Sequence, residues 1–149
     1  MKNIFITSGA PSKILTDKKS EQIEETLRDR PYEAVAMARK LLDEYEDDER
    51  VLALYIRTGL RAQALTGKRY LQDDWLATAS KVGKERFFSP VFSVLGIAAD
   101  AAMGIQMGKE HLSSLRRAHR MGPEVVRELV KDLLPLFGGN TDEVRRITS

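Results

Sequence analysis

The chain contains no cysteine among its 149 residues. This absence excludes disulfide bonds, thiolate zinc sites and cysteine nucleophiles, and it argues against the small disulfide-dense scaffolds found among secreted proteins. A chain of this length can bury a substantial core without covalent support. We therefore expect a single domain that works in the cytoplasm, where disulfides are rare.

Histidine is scarce as well, and the two residues present are poorly spaced for metal binding. His111 and His119 stand eight positions apart, whereas a helical zinc pair needs a spacing of about four. No pattern of acidic ligands accompanies them. We expect no bound metal, and His119 is predicted to lie near the C-terminal end of a helix, where its protonated form would be stabilised by the helix dipole.

Long uninterrupted hydrophobic runs are also missing. Residues 87–108 contain no lysine or arginine, but Pro90, Asp100 and Gln106 interrupt the run. A membrane-spanning helix needs about 20 predominantly apolar residues. The apolar stretch at residues 4–6 is too short for the core of a signal peptide. We predict a buried helix in the first of these regions and no contact with a membrane.

Glycine is too sparse for a nucleotide-binding loop. Residues 3–12 resemble the first strand and loop of a short-chain dehydrogenase, in which several glycines let the backbone approach a pyrophosphate. Only Gly9 stands there, and no alternation of strands and helices follows. We expect no cofactor. Residues 1–15 are predicted to form an extended arm, and residues 16–149 a single helical domain.

Helical periodicity is what the sequence has in abundance. Apolar residues recur at three- and four-residue spacing from Pro31 to Tyr45 and again from Glu49 to Thr66, a pattern typical of amphipathic helices. Asp47 or Asp48 between them can cap the second segment, and Gly67 fits a left-handed helix end. The two segments therefore predict a helical hairpin.

The rest of the chain predicts further helices around an apolar one. Their expected bounds are Asp17–Asp29 with Thr16 as N-cap, Asp73–Gly83, Ser89–Met107, Lys109–Arg120, Glu124–Phe137 and a short last turn through Val144 and Ile147. The segment Ser89–Met107 is apolar on nearly every side, which is typical of a helix enclosed by others. No alternating strand pattern follows residue 15. We predict an all-α array of six to seven helices around this buried central helix.

One stretch of the hairpin has a family resemblance. Pro31-Tyr32-Glu33-Ala34, followed by Ala38 and Leu41, resembles the second helix of a tetratricopeptide repeat. The next helix has Tyr55-Ile56 where that family usually has Leu-Gly. The resemblance covers about a third of the chain and implies a groove that holds a partner's peptide or helix.

Two sets of residues are candidates for binding. The first is a basic stripe that could hold an anion or a partner, with an ordinary solvated helix face as the alternative: Lys109, Arg116, Arg117 and Arg120. The second is a possible groove drawn from the aromatic residues, with packing in the core as the alternative: Tyr55, Tyr70 and Trp75, with Tyr32 and Tyr45 as further members of the surface.

Asp100 is a lone acid in the apolar helix. It is either a buried functional carboxylate or a residue that pairs with an arginine or reaches solvent at a gap in the array. No second carboxylate or nucleophile accompanies it in the sequence. We therefore assign no catalytic residue.

These observations predict a non-enzymatic interaction module: an adaptor, chaperone or assembly factor that holds a segment of another protein in a helical groove. The alternative is a small nucleic-acid-associated regulator that uses the basic helix. The following helix offers the mixed charges of Glu124, Arg127 and Glu128, which suit a phosphate backbone poorly. A protein partner is therefore favoured over nucleic acid, and an enzyme of unknown class comes third.

Overall fold

The computed structural model describes residues 13–149, with side chains from residue 17 onward, and this part of the chain is all-helical. The elements are α1 (Lys13–Asp29), α2 (Pro31–Glu44), α3 (Glu49–Thr66), α4 (Asp73–Glu85), α5 (Pro90–Ala102), α6 (Lys109–Met121), α7 (Pro123–Leu133), a 3₁₀ segment (Leu134–Asn140) and α8 (Thr141–Thr148). The predicted helical array is confirmed. Its last member, α8, is the short final turn expected from Val144 and Ile147.

The start of α1 differs from the prediction. The helix begins at Lys13 rather than Asp17, so Thr16 lies within the helix and is not its N-cap. Residues 13–15, which were expected in the extended arm, therefore belong to this helix. The remainder of that arm, residues 1–12, lies outside the described residues, as does the dehydrogenase-like stretch.

The hairpin of α2 and α3 forms as its cap residues predict. The Asp48 side chain accepts a hydrogen bond from the Arg50 backbone N–H, with an Oδ1–N distance of 2.8 Å. This bond satisfies one of the unpaired N–H groups at the start of α3. At the other end of α3, Gly67 adopts a φ of +77° and its N–H bonds to the Gln63 carbonyl oxygen. Both helix ends are therefore fixed locally.

We expect Asp48→Ala to lower the free energy of unfolding by about 1 kcal/mol, because it removes the N-cap of α3. Chemical denaturation of the variant and the parent protein measures the difference. Asp43→Ala is the matched control, since Asp43 is exposed and only pairs with Arg39 on the surface of α2. A control that loses as much stability as Asp48→Ala would contradict the assigned capping role.

Helix α5 lies at the centre of the array. Ten of its residues are buried, and it packs against α3, α4, α6 and α7. Ser89 caps it by accepting a hydrogen bond from the Phe92 N–H at 3.3 Å. The helix contributes Val94, Leu95 and Ala98 to the core, all with no exposed surface. The predicted central helix is confirmed.

The predicted C-terminal end of this helix, Met107, was wrong. The helix stops at Ala102 because Gly104 takes a left-handed φ of +84°. The N–H groups of Gly104 and Ile105 bond back to the carbonyl oxygens of Ala101 and Asp100, both at 3.0 Å. This is the hydrogen-bond pattern of a Schellman motif. A loop of residues 103–108 follows and leads into α6.

Helix α7 is also shorter than predicted. It ends at Leu133 instead of Phe137, and the chain continues as the 3₁₀ segment. Pro135 explains the difference, because proline lacks the N–H that an α-helix would need there and its ring crowds the carbonyl oxygen four residues earlier.

Helices α4 and α5 cross with their backbones in contact. A Cβ atom added to Gly83 would lie 2.8 Å from the Phe92 carbonyl oxygen and 2.9 Å from the Gly96 Cα. A Cβ atom added to Gly96 would lie 3.0 Å from the Gly83 Cα. The absence of side chains at both positions therefore sets the distance between the two helices.

Candidate functional site

A cavity of about 570 Å³ opens beside the α2–α3 hairpin. Its lining comes from α2, from α3 and from the loop between α3 and α4: Tyr32, Val35, Ala36, Arg39, Tyr55, Lys68, Arg69 and Tyr70. We call this the hairpin groove. Three tyrosines and three cations line it, and none of the lining residues within the described part of the chain is acidic.

Arg39 and Tyr55 line one part of the hairpin groove, and both side chains contact Trp75. Tyr55 and Trp75 meet edge to face, with ring centroids 5.1 Å apart. The Arg39 guanidinium carbon lies 4.8 Å from the Trp75 centroid and 5.7 Å from that of Tyr55. Arg39 Nε also donates to Asp43 at 3.1 Å. These contacts hold the Arg39 charge in a fixed place at the groove.

Another part of the lining comes from the loop after Gly67, with Lys68, Arg69 and Tyr70. Arg69 pairs with Asp73 and donates to the Ala102 carbonyl oxygen at 3.2 Å, which ties this loop to the end of α5. Lys68 is exposed, and Tyr70 is half-buried. Tyr32, on α2, is 79% exposed. A large aromatic side chain so open to solvent is available to a partner.

Two of the three residues that the sequence singled out for a groove, Tyr55 and Tyr70, are among the residues that line the hairpin groove. Tyr70 is half-buried, whereas Tyr55 is only 5% exposed and packs in the core, and Trp75 contacts Tyr55 without lining the cavity. Sequence reasoning missed Arg39, whose spacing places it on what looks like an ordinary polar face of α2. In the sequence, only its position four residues after Val35 indicates that the two side chains share one face of the helix.

The predicted basic stripe divides between two surfaces. Lys109, Arg116 and Arg120 are exposed on α6, and Arg116 lies 3.6 Å from the Glu143 carboxylate of α8. Arg117 is half-buried and turns toward Phe87, with its guanidinium carbon 5.8 Å from the ring centroid. Arg117 therefore belongs to a different environment from the other three.

The charges of α7 serve partly to hold helices together. Asp132 accepts a hydrogen bond from Arg57 at 3.0 Å and lies 3.5 Å from Arg61, both on α3. Arg61 also pairs with Glu24 of α1. Asp132 therefore contacts α3, and it contributes less to the charged surface that α7 could offer to a nucleic acid.

A second cavity, of about 670 Å³, lies between α4, α5 and α6. We call it the interhelical cavity. Asp100, only 6% exposed, is on its wall, and its Oδ2 lies 2.8 Å from His111 Nε2. The Gly108 N–H donates to His111 Nδ1 at 3.0 Å. The Nδ1 atom is therefore unprotonated, and Nε2–H donates to the carboxylate.

Asp100 is thus buried, and its partner is a histidine rather than the arginine considered from the sequence. His119 lies in the last turn of α6, as predicted. Within residues 13–149, no cluster of three or more histidine or acidic side chains is placed to hold a metal ion. In the same part of the chain, no helix is both long and apolar enough to cross a membrane.

Comparison with known proteins adds no family to these observations. The chain matches no protein-family model, no curated protein and no solved structure.

Proposed function

We propose that this protein is a non-enzymatic interaction module that binds an acidic segment of another protein in the hairpin groove. One observation carries the proposal: three tyrosines and three cations line a single cavity whose described lining has no acidic residue, and although Arg39 and Arg69 pair with Asp43 and Asp73, Lys68 adds an exposed charge beside the exposed ring of Tyr32. A positive, aromatic-lined groove attracts carboxylates and offers flat apolar rings to the side chains between them.

The fixed position of Arg39 strengthens this proposal. Asp43 engages only Nε of Arg39, and Trp75 and Tyr55 already hold the guanidinium group, so little side-chain freedom is lost when a partner's carboxylate binds its other nitrogens. Lys68 provides a second charge, on the loop that lines the groove. The tetratricopeptide-like segment beginning at Pro31 implies the same kind of partner, a peptide or helix held beside a helical hairpin.

The proposed role is that of an adaptor, chaperone or assembly factor. A cytoplasmic location fits a chain that contains no cysteine. A nucleic-acid-associated role has less support, because the basic stripe of α6 is divided by the inward turn of Arg117 and by the pairing of Arg116 with Glu143.

Fluorescence anisotropy with a labelled peptide in which glutamates alternate with leucines tests the proposal. We expect Lys68→Glu to weaken binding by about tenfold or more, because it places a like charge opposite the bound carboxylates. Lys40→Glu is the matched control, since Lys40 is exposed on α2 outside the groove lining. It should bind the peptide nearly as the parent protein does.

A second peptide, with glutamine in place of every glutamate, separates charge from apolar contact. Equal affinity for both peptides, or equal losses in the two lysine variants, would remove the acidic-segment proposal. A gel shift with mixed DNA and RNA at low salt tests the alternative. Binding that disappears when Arg116, Arg117 and Arg120 are all changed to alanine would favour the nucleic-acid role instead.

A further inference from the structure

The interhelical cavity contains buried polar groups that have no hydrogen-bond partner in the part of the chain that the structure describes. Ser93 lies on its wall and is only 3% exposed, yet no hydrogen-bond partner for its Oγ is found among the described residues. The same is true of the buried Nε of Arg117, another lining residue. Burying such groups unpaired is costly, and native proteins rarely do so without a functional reason.

The two groups lie at the same end of the cavity. Helices α5 and α6 run antiparallel, because His111 at the start of α6 contacts Asp100 near the end of α5, and Gly122 after α6 lies against Pro90. This arrangement places Arg117 opposite Ser93. Helix α4 also brings Lys84 to this end, since its neighbour Gly83 contacts Phe92.

The other end of the cavity contains the hydrogen-bond acceptor Asp100. Asp100 lies seven residues after Ser93 on α5, which corresponds to about 10 Å along the helix axis. His111 donates to one carboxylate oxygen of Asp100, and the carboxylate keeps capacity to accept further hydrogen bonds. The wall between the two ends includes the apolar side chain of Ile97 on α5, and Met103 lines the cavity past Asp100.

From this layout we propose that the interhelical cavity binds a small elongated organic acid. Its carboxylate accepts hydrogen bonds from Arg117 Nε and Ser93 Oγ, with Lys84 nearby. Its apolar body lies along Ile97, and an amino or hydroxyl group at its far end donates to Asp100. A volume of about 670 Å³ is within the range of small-molecule sites in proteins.

Isothermal titration calorimetry with ω-aminooctanoate tests this proposal, with octanoate and octylamine as probes that each lack one polar end. We expect ω-aminooctanoate to bind at least about tenfold more tightly than either, since only it satisfies both ends of the cavity. No heat of binding up to the solubility limit of ω-aminooctanoate, or equal affinity for all three compounds, would overturn the proposal.

Substitutions test whether Arg117 and Ser93 bind the carboxylate of the ligand. Arg117→Gln should weaken binding of ω-aminooctanoate by about tenfold, whereas Arg120→Gln, exposed on the same helix and outside the cavity, should leave it unchanged. Ser93→Ala should weaken binding and at the same time raise the melting temperature, because it removes a buried hydroxyl that has no hydrogen-bond partner among residues 13–149 of the free protein.

The opposite changes in affinity and stability separate ligand binding from a purely structural role. A Ser93→Ala protein that melts higher and binds the probe as tightly as the parent would refute the assignment of Ser93 to the ligand. Equal affinity of the Arg117→Gln and parent proteins would refute the site itself. Lys68→Glu alters only the hairpin groove, so the two proposals can fail independently.

Discussion

Replacing Gly83 with alanine is expected to lower the free energy of unfolding by about 2 kcal/mol, even though alanine favours a helix by about 1 kcal/mol. The added methyl group would meet two backbone atoms, the Phe92 carbonyl oxygen at 2.8 Å and the Gly96 Cα at 2.9 Å. Neither atom can rotate away, so α4 and α5 must separate. Overpacking typically costs about 1–3 kcal/mol and occasionally more, and contact between backbones belongs at the upper end.

Gly139→Ala is the matched control for this experiment. Gly139 lies outside the left-handed region of φ, and a Cβ atom there would meet no other atom within 4 Å. Its replacement should change stability by less than about 0.5 kcal/mol. Denaturant unfolding of the two variants measures both effects. If Gly83→Ala proved as stable as Gly139→Ala, the two helices would not cross as closely as the structure shows.

The overall fold could be predicted because its signals are local. Ser89 and Asp48 begin helices through their own side chains, and Gly67 ends one through a backbone conformation that other residues rarely adopt. The apolar character of α5 was enough to place it at the centre. These features depend on neighbours a few residues away in the sequence, so no knowledge of tertiary structure was needed.

The missed end of α5 also concealed the Asp100–His111 pair. Apolar residues continue past Ala102 at Met103, Ile105 and Met107, and this continuity suggested one long helix. In a helix that reached Met107, Asp100 would lie about 10 Å before the end of the helix, away from His111 in the next one. Only when Gly104 ends the helix does the following loop return α6 alongside α5 and bring the two side chains together.

The hairpin groove was predictable in part. The sequence offered a shared aromatic surface or packing in the core, and the helical spacing favoured the core; Tyr55 is buried there, and it also borders the groove with Tyr70. The position of Arg39 could not be foreseen, since it depends on the packing of α2 against Trp75 of α4. The position of a long charged side chain depends on contacts between residues distant in sequence, and these contacts cannot be predicted from a single sequence.

Breaking the Asp100–His111 hydrogen bond gives the second large expected effect. His111→Leu preserves the size of the side chain but leaves a buried carboxylate without its donor. We expect a loss of about 2–3 kcal/mol in the free energy of unfolding, because no hydrogen bond then compensates for removing the charged carboxylate from water. The variant also loses the acceptor for the Gly108 N–H at the start of α6.

A double-mutant cycle isolates the contribution of the carboxylate. Asp100→Asn keeps an oxygen that can accept from His111 Nε2–H, so it should cost less than His111→Leu. In the Asp100→Asn background the buried group is neutral, and adding His111→Leu should then cost at least about 1 kcal/mol less than it does in the parent protein. Thermal and chemical denaturation of the four proteins provide the comparison. Should His111→Leu cost the same in both backgrounds, the histidine would contribute by packing and by its bond to Gly108, and Asp100 would gain its stabilisation elsewhere in the interhelical cavity.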